Sequence, residues 1–90
     1  MFIEIAPEYW DNHSLNEILR ACKEVRKTSD VSGLVLNLKH LSVIDSYGIV
    51  LLISLKEQLW ERFNMNLKLA GLSSINQSIL SASGLIRLLE

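Results

Sequence analysis

Residues 34–63 decide the fold of this chain, and they read LVLNLKHLSVIDSYGIVLLISLKEQLWERF. Residues 34–38 are aliphatic at four of five positions, as expected of a strand that is buried on both faces of a sheet. After Gly48 the apolar residues recur at the spacing of a helix. Their stripe consists of Leu52, Leu55, Leu59 and Phe63, widened by Ile49, Ile53 and Trp60. The pattern predicts that a strand gives way to a helix at Asp45 and Ser46.

The junction at Asp45 and Ser46 is suited to an anion. The first N–H groups of a helix have no partner within it, and the helix dipole adds partial positive charge there, so a carboxylate or phosphate is favoured. Asp45 is a typical N-cap residue, and Ser46 would then occupy the first turn with its hydroxyl near solvent. The residues alone favour an ordinary helix start, because Asp and Ser begin many helices that carry no further function.

This arrangement resembles the STAS domain, which is typified by bacterial anti-sigma-factor antagonists. The resemblance rests on an aliphatic strand, a short polar crossing, a hydrophobic pair, the motif Asp-Ser-x-Gly and an aliphatic helix. The matching residues are 34–38, Leu41, 43–48, Leu51 and Leu52, followed by 67–71 and 83–85. They span roughly residues 33 to 89. The position of the motif between this strand and this helix makes the resemblance fairly specific.

The resemblance implies a regulatory and non-enzymatic function. In antagonist members of the family the Ser that follows the Asp, here Ser46, is phosphorylated by a partner serine kinase that is also the anti-sigma factor. The unphosphorylated antagonist binds that kinase and releases a sigma factor, and phosphorylation ends the binding. The residues expected to contact the partner are Asp45, Ser46, Tyr47, Gly48 and Ile49. The domain would thus regulate transcription by partner switching.

Three residues depart from the family's pattern. Tyr47 stands where a small residue is usual, Val50 replaces a second glycine, and Asn37 stands where Asp is common. The bulky Tyr47 and the apolar run at residues 49–53 leave a second function open. In that alternative the domain resembles the STAS subunit of bacterial lipid-transport ABC complexes. The same helix start would then bind an ATPase constitutively, without phosphate chemistry.

The whole chain, residues 1–90, is expected to form one α/β domain. The expected elements besides the central unit are a strand at residues 2–6, a helix from a Ser14–Glu17 capping box, a strand at residues 65–70 and a short helix capped by Ser73. Tyr9 and Trp10 are expected to lie over the sheet edge. The alternation of strands and helices implies right-handed crossovers and a STAS-like domain with a small mixed or mostly parallel sheet. Relative to the family the domain is shortened at both ends, and residues 85–90 fit either a short strand or a helical turn.

The composition suits a small cytoplasmic domain. Of the 90 residues 49% are hydrophobic, so we expect a few apolar side chains to stay outside the core, facing a partner or a second copy in a homodimer. The net charge of −1 argues against a nucleic-acid surface. The acidic start predicts no signal peptide, and the longest apolar run, residues 49–53, predicts no membrane insertion. Cys22 is expected to be a reduced core residue.

Candidate catalytic and metal-binding residues are few. His40 is the nearest candidate base to Ser46, but no G-x-S-x-G context surrounds that serine, and we expect His40 to be a loop residue. His13 is expected in a turn before the first helix. Two histidines and one cysteine without metal spacing predict no metal site, and the lack of a P-loop or Gly-rich fingerprint predicts no cofactor. We therefore expect no catalytic residue, and we expect Trp60 and Phe63 to lie in the core.

Overall fold

Three parallel strands form the centre of this structure, a computed structural model that describes residues 1–85. The strands are β1 (Phe2–Ile5), β2 (Gly33–Asn37) and β3 (Asn66–Ala70), in the order β1-β2-β3 across the sheet. In the register of the sheet, Ile3 lies opposite Leu34, and Leu34 lies opposite Leu67. The prediction of an α/β domain with a small, mostly parallel sheet is confirmed.

A helix follows each strand. The helices are α1 (Asn12–Thr28), α2 (Ser46–Phe63) and α3 (Ser74–Ala82). Helices α1 and α2 are the crossovers that join neighbouring parallel strands, since such strands start at the same end of the sheet and a tight turn cannot connect them. These two helices also pack against each other. The predicted alternation of three strands with three helices is confirmed.

The core lies between the sheet and the pair α1 and α2. Its fully buried leucines include Leu34, Leu36 and Leu38 on and just after β2, and Leu52, Leu55 and Leu59 on α2. The prediction that β2 is buried on both faces is only partly right, because Val35 and Asn37, on its other face, are half-buried. On that face the flanking strands present exposed Glu4 and Lys68. The sheet therefore has one apolar and one largely polar face.

Helix α1 begins earlier than the sequence predicts. Its N-cap is Asp11, whose Oδ1 accepts a hydrogen bond from the Ser14 N–H at 2.8 Å, so the predicted Ser14 capping box is wrong. Asp11 has extended backbone angles, and its carboxylate is a stronger acceptor than a serine hydroxyl. Hydrogen bonding from Ser14 also lowers the pKa of Asp11. His13 lies in the first turn of the helix and not before it, and Glu17 pairs with Arg20 at 3.0 Å instead of capping.

Two side chains of the predicted apolar stripe of α2 and one apolar side chain of α3 are exposed. Trp60 is 57% exposed and Ile53 is 38% exposed on α2, while Ile75 is 59% exposed on α3. A three-stranded sheet is only about 10 Å across, and α1 and α2 share its face. Helix α2 therefore buries only a narrow stripe of its surface. On α3 the inward positions belong to Asn76 and Leu80. Phe63 is half-buried and packs against the core.

Helices α2 and α3 are followed by residues with left-handed backbone angles. Asn64 has φ 55° and donates its N–H to the Leu59 and Trp60 carbonyls, which ends α2. Helix α3 ends at a Ser83 cap followed by Gly84 with φ 80°. The alternatives for residues 85–90 fall largely outside the described residues. None of the helices within residues 1–85 is both long enough and apolar enough to cross a bilayer.

Cys22 lies in the core on α1, fully buried and unpaired, as predicted. Burial disfavours the thiolate and raises the pKa of the Cys22 thiol from 9.0 to about 11. The native thiol thus stays protonated at pH values where the thiol of an unfolded chain has ionised.

We expect native Cys22 to resist a thiol reagent at pH 8 and to react rapidly in urea, because only the thiolate attacks the reagent.

The raised pKa of Cys22 also makes the stability of the protein depend on pH. Above pH 9 the unfolded chain loses the proton first, so the contribution of Cys22 to stability falls as the pH rises toward 11. Urea titrations of wild type and Cys22→Ala at pH 8 and pH 10.5 measure this contribution. Between the two pH values, wild type should lose more of its free energy of unfolding than Cys22→Ala does. Equal reactivity of native and unfolded protein contradicts the assignment.

Candidate functional site

The first turn of α2 is held by its N-cap. Asp45 has extended backbone angles, and its Oδ1 accepts the N–H of Gly48 at 2.7 Å. The Asp45 carbonyl accepts the N–H of Ile49 at 3.0 Å. The predicted helix start at Asp45 and Ser46 is confirmed, because α2 begins at Ser46, but β2 ends at Asn37 and a loop joins the two.

Ser46 is exposed at the first position of α2. Among the described residues, neither its hydroxyl nor its N–H has a hydrogen-bond partner, and the same holds for the N–H of Tyr47. Two free N–H donors and the positive end of the helix dipole therefore lie in the same first turn as the Ser46 hydroxyl. The site can accept added negative charge without breaking an existing bond of this serine.

Trp10 lies against this turn. Its Nε1 donates a hydrogen bond to the Gly48 carbonyl at 2.8 Å. Gly48 is buried, and a Cβ there would lie 2.9 Å from the Ile44 Cγ2 and 3.2 Å from the Trp10 Cδ1, so a side chain would displace both residues. The lack of a side chain at Gly48 thus leaves room for the Trp10 indole to contact this turn. Trp10 is half-buried and packs against the core, and its indole N–H finds an acceptor in this turn, while its position over the sheet edge stays a prediction.

Asn76 of α3 holds the loop that precedes Ser46. This side chain is fully buried, and its Oδ1 accepts the N–H of Ile44 at 2.9 Å. Its Nδ2 donates to the Leu41 carbonyl at 3.4 Å. This role of Asn76 was not predicted from the sequence, although Asn76 occupies the same helix face as Leu80, four residues on, where an apolar residue would be expected.

An apolar surface adjoins Ser46 on the outside of α2. We call it the outer stripe and define it as Tyr47, Val50 and Ile53. Tyr47 is 54% exposed and Val50 is 58% exposed, while Ile49 is half-buried and packs against the core. Of the five residues predicted to contact a partner, Asp45, Ser46 and Tyr47 are therefore exposed, whereas Gly48 and Ile49 support them from below.

A cleft of about 220 Å³ lies on the other side of Asp45. Its walls include Trp10, His40 and Ser42. His40 is an exposed loop residue, as predicted, and within residues 1–85 it makes no hydrogen bond to Ser46, so the pairing of base and nucleophile required for hydrolase chemistry is not formed there. In the part of the chain that the structure describes, no cluster of three or more His, Cys, Asp or Glu side chains could hold a metal ion.

Residues 8–90 match the family model of the STAS domain. The chain belongs to the STAS family. The matched range contains α1, β2, α2, β3 and α3, and with them the capped serine at the start of α2. Comparison with curated proteins and with solved structures gave no significant match. STAS domains are generally non-enzymatic binding modules.

The Asn76 contact yields a stability prediction. We expect Asn76→Ala to lower the free energy of unfolding by roughly 2–3 kcal/mol, because it leaves a buried N–H and a carbonyl without a partner. Gln77→Ala, at an exposed position of the same helix, is the matched control and should cost less than about 0.5 kcal/mol. Urea unfolding measures both values. Amide hydrogen exchange should also speed up at Ile44 in Asn76→Ala, and unchanged exchange there argues against the contact.

Proposed function

We propose that this STAS domain is a regulatory binding module that docks a partner around Ser46 and releases it when Ser46 is phosphorylated. The proposed partner is a serine kinase that also acts as an anti-sigma factor, in the cytoplasm of a bacterium. The observation that carries the proposal is the exposed Ser46 hydroxyl at the first position of a capped helix. Family membership supports a binding role for the domain.

The energetics favour release of a partner over a change of fold. A phosphate adds roughly −1.5 to −2 charge at neutral pH. Its attraction to the helix start is worth at most about 2 kcal/mol, and repulsion from Asp45 offsets part of that. A partner that must bury the same charge unpaired loses on the order of 2–5 kcal/mol of binding free energy. The expected output is therefore dissociation.

The contacts below Ser46 suit a switch that leaves the fold unchanged. Asp45, Trp10 and Asn76 bond to the turn and to the preceding loop, and none of these bonds uses the Ser46 hydroxyl. The modified group therefore projects from a turn whose position is set by other residues. This separation supports a switch in which phosphorylation alters the surface around Ser46 and leaves the fold unchanged.

The outer stripe favours a second candidate function. Tyr47, Val50 and Ile53 place apolar area directly beside Ser46, and exposed apolar patches of this kind mark protein interaction sites. A constitutive STAS subunit that binds the ATPase of a lipid-transport ABC complex would use such a surface without phosphate chemistry. A homodimer also stays a prediction.

Phosphorylation is tested with the kinase, ATP and intact mass spectrometry. We expect one phosphate on wild type and none on Ser46→Ala. Ser74→Ala is the matched control, because Ser74 is also the exposed first residue of a helix, and it should be modified like wild type. A phosphate that persists on Ser46→Ala, or none on wild type, contradicts the proposal.

The two candidate functions differ in their response to charge at position 46. For the switch, Ser46→Asp should weaken binding of the kinase at least about thirtyfold, while the free energy of unfolding changes by less than about 1 kcal/mol. For constitutive docking, Ser46→Asp should leave ATPase binding intact, and Val50→Ser should weaken it about tenfold through lost apolar burial. Ile75→Ser removes an equally exposed apolar side chain from α3 and serves as the control in calorimetric binding measurements.

A further inference from the structure

A groove with basic walls lies between α1 and α2, away from Ser46. It has a volume of about 370 Å³ and is lined by Asn16, Leu19, Arg20 and Lys23 of α1 and by Arg62 of α2. The α1 residues recur at intervals of three and four, so they share one helix face. Within residues 1–85, three cationic side chains and no carboxylate line this groove.

The charges in this groove are incompletely neutralised. On α1, Arg20, Arg26 and Lys27 each have a carboxylate oxygen within 4.0 Å, at 3.0, 3.7 and 3.4 Å. Lys23 is the one basic residue of α1 without such a partner among the described residues. Arg62 donates to the neutral Gln58 amide oxygen at 3.3 Å, and no carboxylate of residues 1–85 pairs with it either.

We propose that this basic groove binds a phosphate-bearing anion. The planar guanidinium of Arg62 can hold two phosphate oxygens, the Lys23 ammonium supplies a point charge, and the Asn16 amide adds a neutral donor. Arg20 keeps donors beyond the one it gives to Glu17, which lies on the same helix. Leu19, an apolar residue of the lining, is buried. The volume lies in the range of small-molecule sites and accommodates more than one phosphate group.

The groove is separate from the Ser46 surface. Arg62 follows Ser46 by sixteen residues on the same helix, which places their backbones about 24 Å apart along its axis. Screening in physiological salt acts over about 8 Å, so a charge at one site is hardly felt at the other. The proposed anion therefore binds whether or not Ser46 carries a phosphate.

The probe for this site is inorganic tripolyphosphate, titrated at low salt into ¹⁵N-labelled protein and followed by NMR and calorimetry. We expect amide shifts on α1 around Lys23 and at the end of α2, and affinity that falls as salt is added. Lys23→Gln and Arg62→Gln should each weaken binding about tenfold, because each removes a charge-assisted contact. Lys56→Gln is the matched control, since it removes the same charge from an exposed position of α2 outside the groove, and it should bind like wild type.

A second arm tells a free phosphate compound from a lipid headgroup. Vesicles of phosphatidylglycerol in phosphatidylcholine are sedimented with each protein, with pure phosphatidylcholine as the blank. The site is supported if Lys23→Gln and Arg62→Gln weaken binding and Lys56→Gln does not. The ligand is then a free anion if only tripolyphosphate binds, and a lipid headgroup if the vesicles bind too. Binding of neither probe, equal weakening by all three variants, or tighter binding of a polyglutamate peptide than of tripolyphosphate overturns the proposal.

Discussion

The burial of β2 in the middle of the sheet is the constraint on which the rest of the structure depends. Its backbone groups bond to β1 on one side and to β3 on the other, and both neighbours run parallel to it. Parallel neighbours require crossover helices, and the apolar leucines of β2 require those helices to lie over one face. The start of α2, and with it Ser46, must then lie at the end of the sheet where β2 finishes.

The site at this end of the sheet has a hydrogen-bonded base and an exposed outer surface. Asp45 caps the helix, Trp10 bonds to its first turn, and Asn76 holds the incoming loop, and these contacts come from three different parts of the chain. Above them Ser46 and Tyr47 are exposed. Such a surface can exchange partners or accept a charge while the core below it is unchanged, which is what a binding module requires.

Helix α2 has different surfaces at its two ends. Its first turn offers an apolar stripe beside a serine, whereas its last turn contributes Arg62 to the basic groove with α1. The distance along the helix separates the two surfaces electrostatically. One helix of a 90-residue domain thus serves two independent surfaces, and its buried stripe of leucines holds both in place.

The sequence by itself determined the features that depend on neighbouring residues. The order of strands and helices, the α/β class and the cap at Asp45 followed from hydrophobic period and capping chemistry, which act over a few residues. Even so, a local pattern misplaced the first helix cap, because Ser14 has the right spacing to Glu17 while Asp11 is the better acceptor.

Only the tertiary structure decided which residues from distant segments meet. The bond from Trp10 to Gly48, the contact of Asn76 with Ile44 and the convergence of Lys23 and Arg62 join residues at least 30 positions apart, and no short-range pattern encodes them. The exposure of residues such as Trp60 was likewise decided by the width of the sheet and by the helix packed beside α2. The physical reason is that periodicity selects the face of a helix that turns inward, whereas the packing partner decides how much of that face is covered.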